Sequence, residues 1–195
     1  MARIRNYMKF SNIGGARVLS KAVVLLLGLM GLLVLQACSG SSGERRLYEN
    51  KDAGISFTVP VKYRDVEEEP KMIRFADPTD GASGFTLTYN NVKDTVNIHK
   101  SDYIDKLAAG FERVYSMRGA KEVKLLSKDK TSVAGQNAVN IKYSIKAKGQ
   151  EGIVEICVVQ RGQVVYIFEF IFSGSDYNKV APALLKETIK SIKFI

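Results

Sequence analysis

Two thiols, one imidazole and a few carboxylates are the side chains of this sequence that could make or break bonds. Cys38 follows Leu35-Gln36-Ala37 at the end of an apolar run and precedes Ser39-Gly40-Ser41-Ser42-Gly43. A cysteine so exposed is a nucleophile open to covalent modification. Cys157 lies between Ile156 and Val158 in an apolar stretch, the setting of a small core residue. His99 is the sole histidine, so no usual zinc set can form, and a Cys157–His99 nucleophile pair would need an accessible thiol. Glu67, Glu68 and Glu69, with Asp65, form an acidic loop before Pro70 that could hold a divalent cation, although consecutive carboxylates more often form a solvated face. Glu169 and Glu155 interrupt apolar strands, and Glu169 is a candidate polar contact at the floor of a ligand cleft. There is no G-x-S-x-G elbow, phosphate-cradling loop or dinucleotide fingerprint. The expectation is a protein that is not an enzyme, with no catalytic residues, no metal set and no cofactor.

Cys38 gains meaning from what surrounds it. Residues 1–21 carry Arg3, Arg5, Lys9, Arg17 and Lys21 and no acid. Ala22 to Leu35 is uninterruptedly apolar, shorter than the ~20 residues of a spanning helix and suited to the core of a signal peptide. Leu35-Gln36-Ala37-Cys38 then resembles the lipobox of bacterial lipoproteins, with a small Ala37 before the cleaved bond. The resemblance implies cleavage between Ala37 and Cys38 and lipidation of Cys38. Two or three acyl chains, at ~0.8 kcal/mol per buried CH₂, exceed what stable anchoring needs. The Ser/Gly stretch is a flexible tether, and Ser39 by the same resemblance favours the outer membrane, facing the periplasm, if the cell has two membranes. The organisation expected is 1–37 signal peptide, 38–46 lipidated cysteine and tether, and 47–195 one globular domain.

The net charge of +9 suggests nucleic acid until its distribution is read. With the five leader bases removed, 24 basic residues face 20 acidic ones, an ordinary surface. No basic stripe marks a nucleic-acid partner; Lys121, Lys124, Lys128 and Lys130 read as a solvated face. With Cys38 modified, Cys157 has no partner, and the domain has no internal disulfide.

Several elements position these residues. Ile55, Phe57 and Val59 alternate with Ser56 and Thr58 as a half-buried strand, after a short strand beginning at Tyr48. Met72 to Ala76 and Phe85 to Asn90 follow as strands. Ile104, Leu107, Phe111 and Val114 recur at helical spacing between an N-capping Ser101 and Gly119. Strands led by Val123 and by Val139 come next, then 150–160 and 163–173 around an Arg161-Gly162 turn. That turn sets Val154 opposite Glu169 and Glu155 opposite Phe168, which puts the two carboxylates on opposite faces. Tyr166, Phe168, Phe170 and Phe172 oppose Val165, Ile167 and Ile171, so the last strand is covered on both faces. Residues 176–193 close the chain as a helix containing Pro182. The order predicts an α+β fold, a mainly antiparallel β-sheet with two helices, one on each face.

Gly54-Ile55-Ser56-Phe57-Thr58-Val59-Pro60 resembles the G-[IFY]-S-[FI]-x-[VY]-P opening of PsbP-like domains, and Ser191-Ile192-Lys193-Phe194 resembles their S-[IF]-[KR]-F ending. The group includes bacterial lipoproteins of the DcrB type; many bacterial members carry a Trp shortly after the Pro, where this sequence has Tyr63. The resemblance spans Tyr48 to Ile195 and implies an α/β/α sandwich acting as a binding module. The function expected is a membrane-anchored accessory or adaptor lipoprotein that binds another envelope protein, held to the membrane by its N-terminal lipid. The alternative is a module binding a small molecule or metal ion.

Overall fold

The computed structural model describes residues 43–78, 84–93, 96–147, 149–174 and 177–195. Ala37 and Cys38 lie outside the described residues, as do the side chains of Glu67 and Glu68, of 178–180 and of Pro182. Two sheets and two helices build the domain. β1 (Arg45–Asn50), β2 (Ile55–Pro60) and β10 (Lys193–Phe194) form a small antiparallel sheet in the order β1-β2-β10. β3 (Arg64–Glu69), β4 (Met72–Ala76), β5 (Gly84–Asn91), β6 (Glu122–Val133), β7 (Gln136–Ala147), β8 (Gln150–Arg161) and β9 (Val164–Ser173) form the large one, ordered β3-β4-β5-β9-β8-β7-β6. The helices are α1 (Ser101–Met117) and α2 (Tyr177–Lys190). No described helix is long and apolar enough to cross a membrane.

Strand alternation sorts the core into two layers. Phe75, Phe85, Phe168 and Phe170 face β2 and α2 and share a cluster with Ile55, Phe57 and Val59. Phe75 and Phe85 stack at 4.7 Å, Phe85 and Phe170 at 4.9 Å, and Phe57 meets Phe168 edge-on at 5.5 Å. Such pairs add ~0.5–1.5 kcal/mol each beyond their area. On the other face, Ile141, Tyr143, Val154 and Ile156 pack under Ile104, Ala108 and Tyr115 of α1. Each helix thus lies on its own face of the large sheet, as the two-faced β9 required.

The details depart from the sequence reading in five places. β1 begins at Arg45, inside the stretch read as tether, because the Arg45 guanidinium docks on the Thr58 carbonyl at 2.7 Å and on Glu187 at 2.9 Å. The acidic loop is the edge strand β3, whose backbone pairs with β4 while its exposed charges hide any alternation. α1 starts at Ser101 with Lys100 at the cap and no side-chain bond there. Its far end follows the expectation: Gly119 at φ +93° closes a Schellman turn, with Ala120 N–H on the Tyr115 carbonyl at 3.1 Å. The β8–β9 turn is Gly162-Gln163, with Gly162 at φ +56°, and not Arg161-Gly162. The register therefore shifts by two, so that Ile156 faces Glu169 and Glu155 faces Phe170. A shift of two preserves facing, and the carboxylates still point to opposite sides. Finally, α2 stops at Lys190, and 193–194 peels off as β10.

Candidate functional site

Among the described residues, the two side chains best suited to covalent chemistry are both occupied structurally. Cys157 is 1 % exposed within the aromatic layer, and burial pushes its thiol up to about 12. Few of its molecules are thiolate at neutral pH. His99 is half-buried, with Nε2 lying 2.9 Å from the Ala138 carbonyl and 3.1 Å from that of Thr131. Two acceptors at one nitrogen put the proton there. The ring ties the loop before α1 to the β6–β7 hairpin, and Cys157 points into the opposite layer.

Glu169 and Glu155 diverge likewise. Glu169 lies on the α1 side, 3.2 Å from the Arg118 guanidinium at the helix end. The Tyr115 hydroxyl is buried beside it without a partner in hydrogen-bond geometry; burial first, then the Glu169 charge, push that phenol well above its usual range. Glu155 lies on the α2 side. It accepts from the Tyr177 hydroxyl and pairs with Lys142 at 3.3 Å, and Lys142 also donates to Tyr177 with its ammonium 4.0 Å from the ring centroid. Burial opposes the Lys142 charge, but the bonds to Tyr177 and Glu155 outweigh it and raise that pKa.

A trough of about 260 Å³ runs between Leu185 of α2 and β6–β8, lined by Asp129, Asn140, Lys142 and Glu155. A helix–sheet cleft therefore exists, but its carboxylates are Asp129 and Glu155 and not Glu169. The sequence showed a carboxylate on each of two apolar strands; it could not show which face a helix leaves open. In the acidic run, Glu69 is exposed and paired opposite Met72, and no described residues gather three metal-ligand side chains.

A larger hollow of about 410 Å³ opens at the end of the sheet, where the β6–β7 and β8–β9 turns meet the loop before α1. Its polar lining is made of carboxamides: Asn97, Gln136, Asn137 and Gln160. The sequence analysis did not single these out, although Gln160 ending the apolar run of β8 was a visible signal.

The sequence model of the PsbP family matches residues 44–194. The chain belongs to the PsbP family. No curated protein matches this PsbP-family chain. Its fold is similar to the solution structure of cyanobacterial PsbP (CyanoP) from Synechocystis, at TM-score 0.64 and 13% identity over 83% of this chain and 99% of that one. A protein from Bacteroides thetaiotaomicron matches at TM-score 0.53 and 12% identity, over 80% of this chain and 49% of its own.

The family motifs have a mechanical meaning in this PsbP domain. The opening motif is β2 and the closing motif is β10, and the two are neighbours: Ser56 pairs with Lys193 and Ile55 with Phe194. Ser191 Oγ accepts from the Thr58 N–H at 2.8 Å and donates to the Thr188 carbonyl at 2.8 Å. Arg161 stacks on Phe194 and donates to the Ile195 carbonyl at 3.0 Å and the Gly54 carbonyl at 3.3 Å. Tyr63 is 2 % exposed in the aromatic layer. The motifs close the fold.

Proposed function

We propose that this PsbP-family protein is a non-catalytic binding module of the bacterial cell envelope, lipidated at Cys38, that docks on another envelope protein. The leader, the lipobox-like Leu35-Gln36-Ala37-Cys38 and the Ser/Gly tether support the anchoring. Ser39 after the cysteine supports an outer-membrane address, facing the periplasm, in a cell with two membranes.

The observation that carries docking is the uneven cover of the large sheet. α1 lies over β6–β8, while the same face of β3, β4, β5 and the end of β9 carries no described helix. Val66 of β3 is 57% exposed and Ile171 of β9 43% exposed on that face, and Met117, at the end of α1, is 64% exposed. Apolar side chains exposed on an open sheet face, with Arg74 opposite Val66 and Arg118 at the helix end, suit a protein contact. Meanwhile Cys157, His99, Glu155 and Glu169 are all committed to packing or pairing, which supports a role without catalysis.

A photo-crosslinking residue at Val66 or Ile171 in intact cells tests this. The expected result is one dominant crosslinked envelope protein, absent when the same residue replaces Lys106 on the outer face of α1. Equal or diffuse labelling from all three positions would refute the docking face.

A further inference from the structure

The hollow at the sheet end has a chemistry of its own. About 410 Å³ is within the ~300–1,000 Å³ of small-molecule sites. Of the described residues, Asn97, Gln136, Asn137 and Gln160 line it with Gly135, Gly162 and Val96, and none of these carries a charge. Gly135 and Gly162 at the two turns have open space where a Cβ would project, so backbone is exposed at the rim.

Gln160 is the informative member. It is 7 % exposed, and its Nε2 donates to the Gly162 carbonyl at 3.1 Å. That bond fixes the amide plane, while Oε1 accepts nothing from the described residues. A mostly buried carboxamide whose plane is fixed offers that acceptor in a set direction, where a ligand hydroxyl can take the place of solvent. Asn97 is positioned too: its Oδ1 accepts from the His99 N–H at 3.0 Å, and His99 is latched to the hairpin carbonyls.

Each carboxamide donates and accepts side by side, without charge. Hydroxyls on adjacent ring carbons of a sugar also donate and accept side by side. Among the described lining residues an ion would find no countercharge, and an acyl chain or apolar peptide side chain would find only Val96. We propose that this cavity is a binding site for a neutral saccharide, read by the Asn97, Gln136, Asn137 and Gln160 amides. No aromatic ring is among the described lining residues to stack on the sugar, so affinity is in the range of a Kd of about 1 mM.

The test is NMR on the full chain in phosphocholine micelles, which carry no sugar headgroup. Maltose, diacetylchitobiose and an acetylated, amidated tetra-alanine are titrated separately. The expected result is a saturable shift of the Gln136, Asn137 and Gln160 side-chain amides with at least one disaccharide. Affinity should fall at least about tenfold in Gln160→Leu. The double variant Gln136→Ala/Asn137→Ala should lose it as well, and its changes sit on a surface hairpin, which keeps the fold. Three outcomes would overturn the proposal: no saturable shift up to about 100 mM, far above the expected Kd; shifts with the peptide alone; or sugar binding that survives the double variant.

Discussion

At Cys157 the thiol is enclosed by the aromatic layer, with its pKa pushed up by burial. Iodoacetamide at about pH 8 should therefore leave it unmodified in the native protein and alkylate it in denaturant; rapid native labelling would contradict the packing. His99→Ala removes the link between the α1 loop and the hairpin carbonyls of Thr131 and Ala138. It should cost about 1 kcal/mol in urea unfolding, and an unchanged midpoint would show that the ring holds nothing. Tyr115 and Tyr143 have phenols raised above the ordinary value of 10.0 mainly by burial, aided by Glu169 and Glu112 respectively. A folded pKa above the unfolded one adds stability that is full below about pH 10 and is lost as pH rises through the folded value. In a spectrophotometric titration these two phenols should ionise only together with unfolding. Cys157 was legible as core from its neighbours Ile156 and Val158. The bonds of His99 were not, because they reach carbonyls 32 and 39 positions away.

Elements with clear periodicity were legible, and those made by backbone pairing alone were not. β2, β7, β9 and α1 each bury one or two faces, so their apolar spacing survives in the sequence. β3 is an exposed, charged edge, and β10 is two residues long; both exist through partners and leave no periodic trace. The β8–β9 turn was misplaced by one residue because Gly162 fits either position of a two-residue turn, and only the ladder decides. The β6–β7 turn shows a local cost that can be relieved. Ala134 sits at φ +47° ahead of Gly135 at φ +76°, the pair of positive values of a type I′ turn. Ala134→Asn should stabilise the hairpin by about 0.5–1 kcal/mol, seen as a higher Tm; a drop in Tm would contradict that geometry. Where the motifs meet, Ser191→Ala leaves the Thr58 N–H without its acceptor. It should cost about 1–2 kcal/mol and speed hydrogen exchange at Thr58, whereas unchanged exchange would separate β10 from fold closure.

Across the whole molecule, the order of strands and helices carried the class, and burial sorts the layers. The large sheet separates two cores, with the aromatic one closed by both chain-end motifs of the domain. Phe168, 0 % exposed between Phe57 and Phe85, is central to that closure, and Phe168→Ala should cost about 3–5 kcal/mol. The candidate site was less legible than the fold. Glu169 was visible as a polar break in β9, but its engagement by Arg118 depends on where α1 ends in space. The open half of the sheet and the carboxamide hollow arise from what the helices fail to cover, which no local pattern records. Where the protein works depends instead on the leader and its cysteine, and these are readable only as sequence.

The most direct measurement is intact mass spectrometry of the protein from its native membranes. The account predicts a chain that begins at Cys38 and carries the added mass of two or three acyl chains, with Cys38→Ala released or left unprocessed. A mass that retains residues 1–37, or a bare Cys38 on a freely soluble chain, would contradict it.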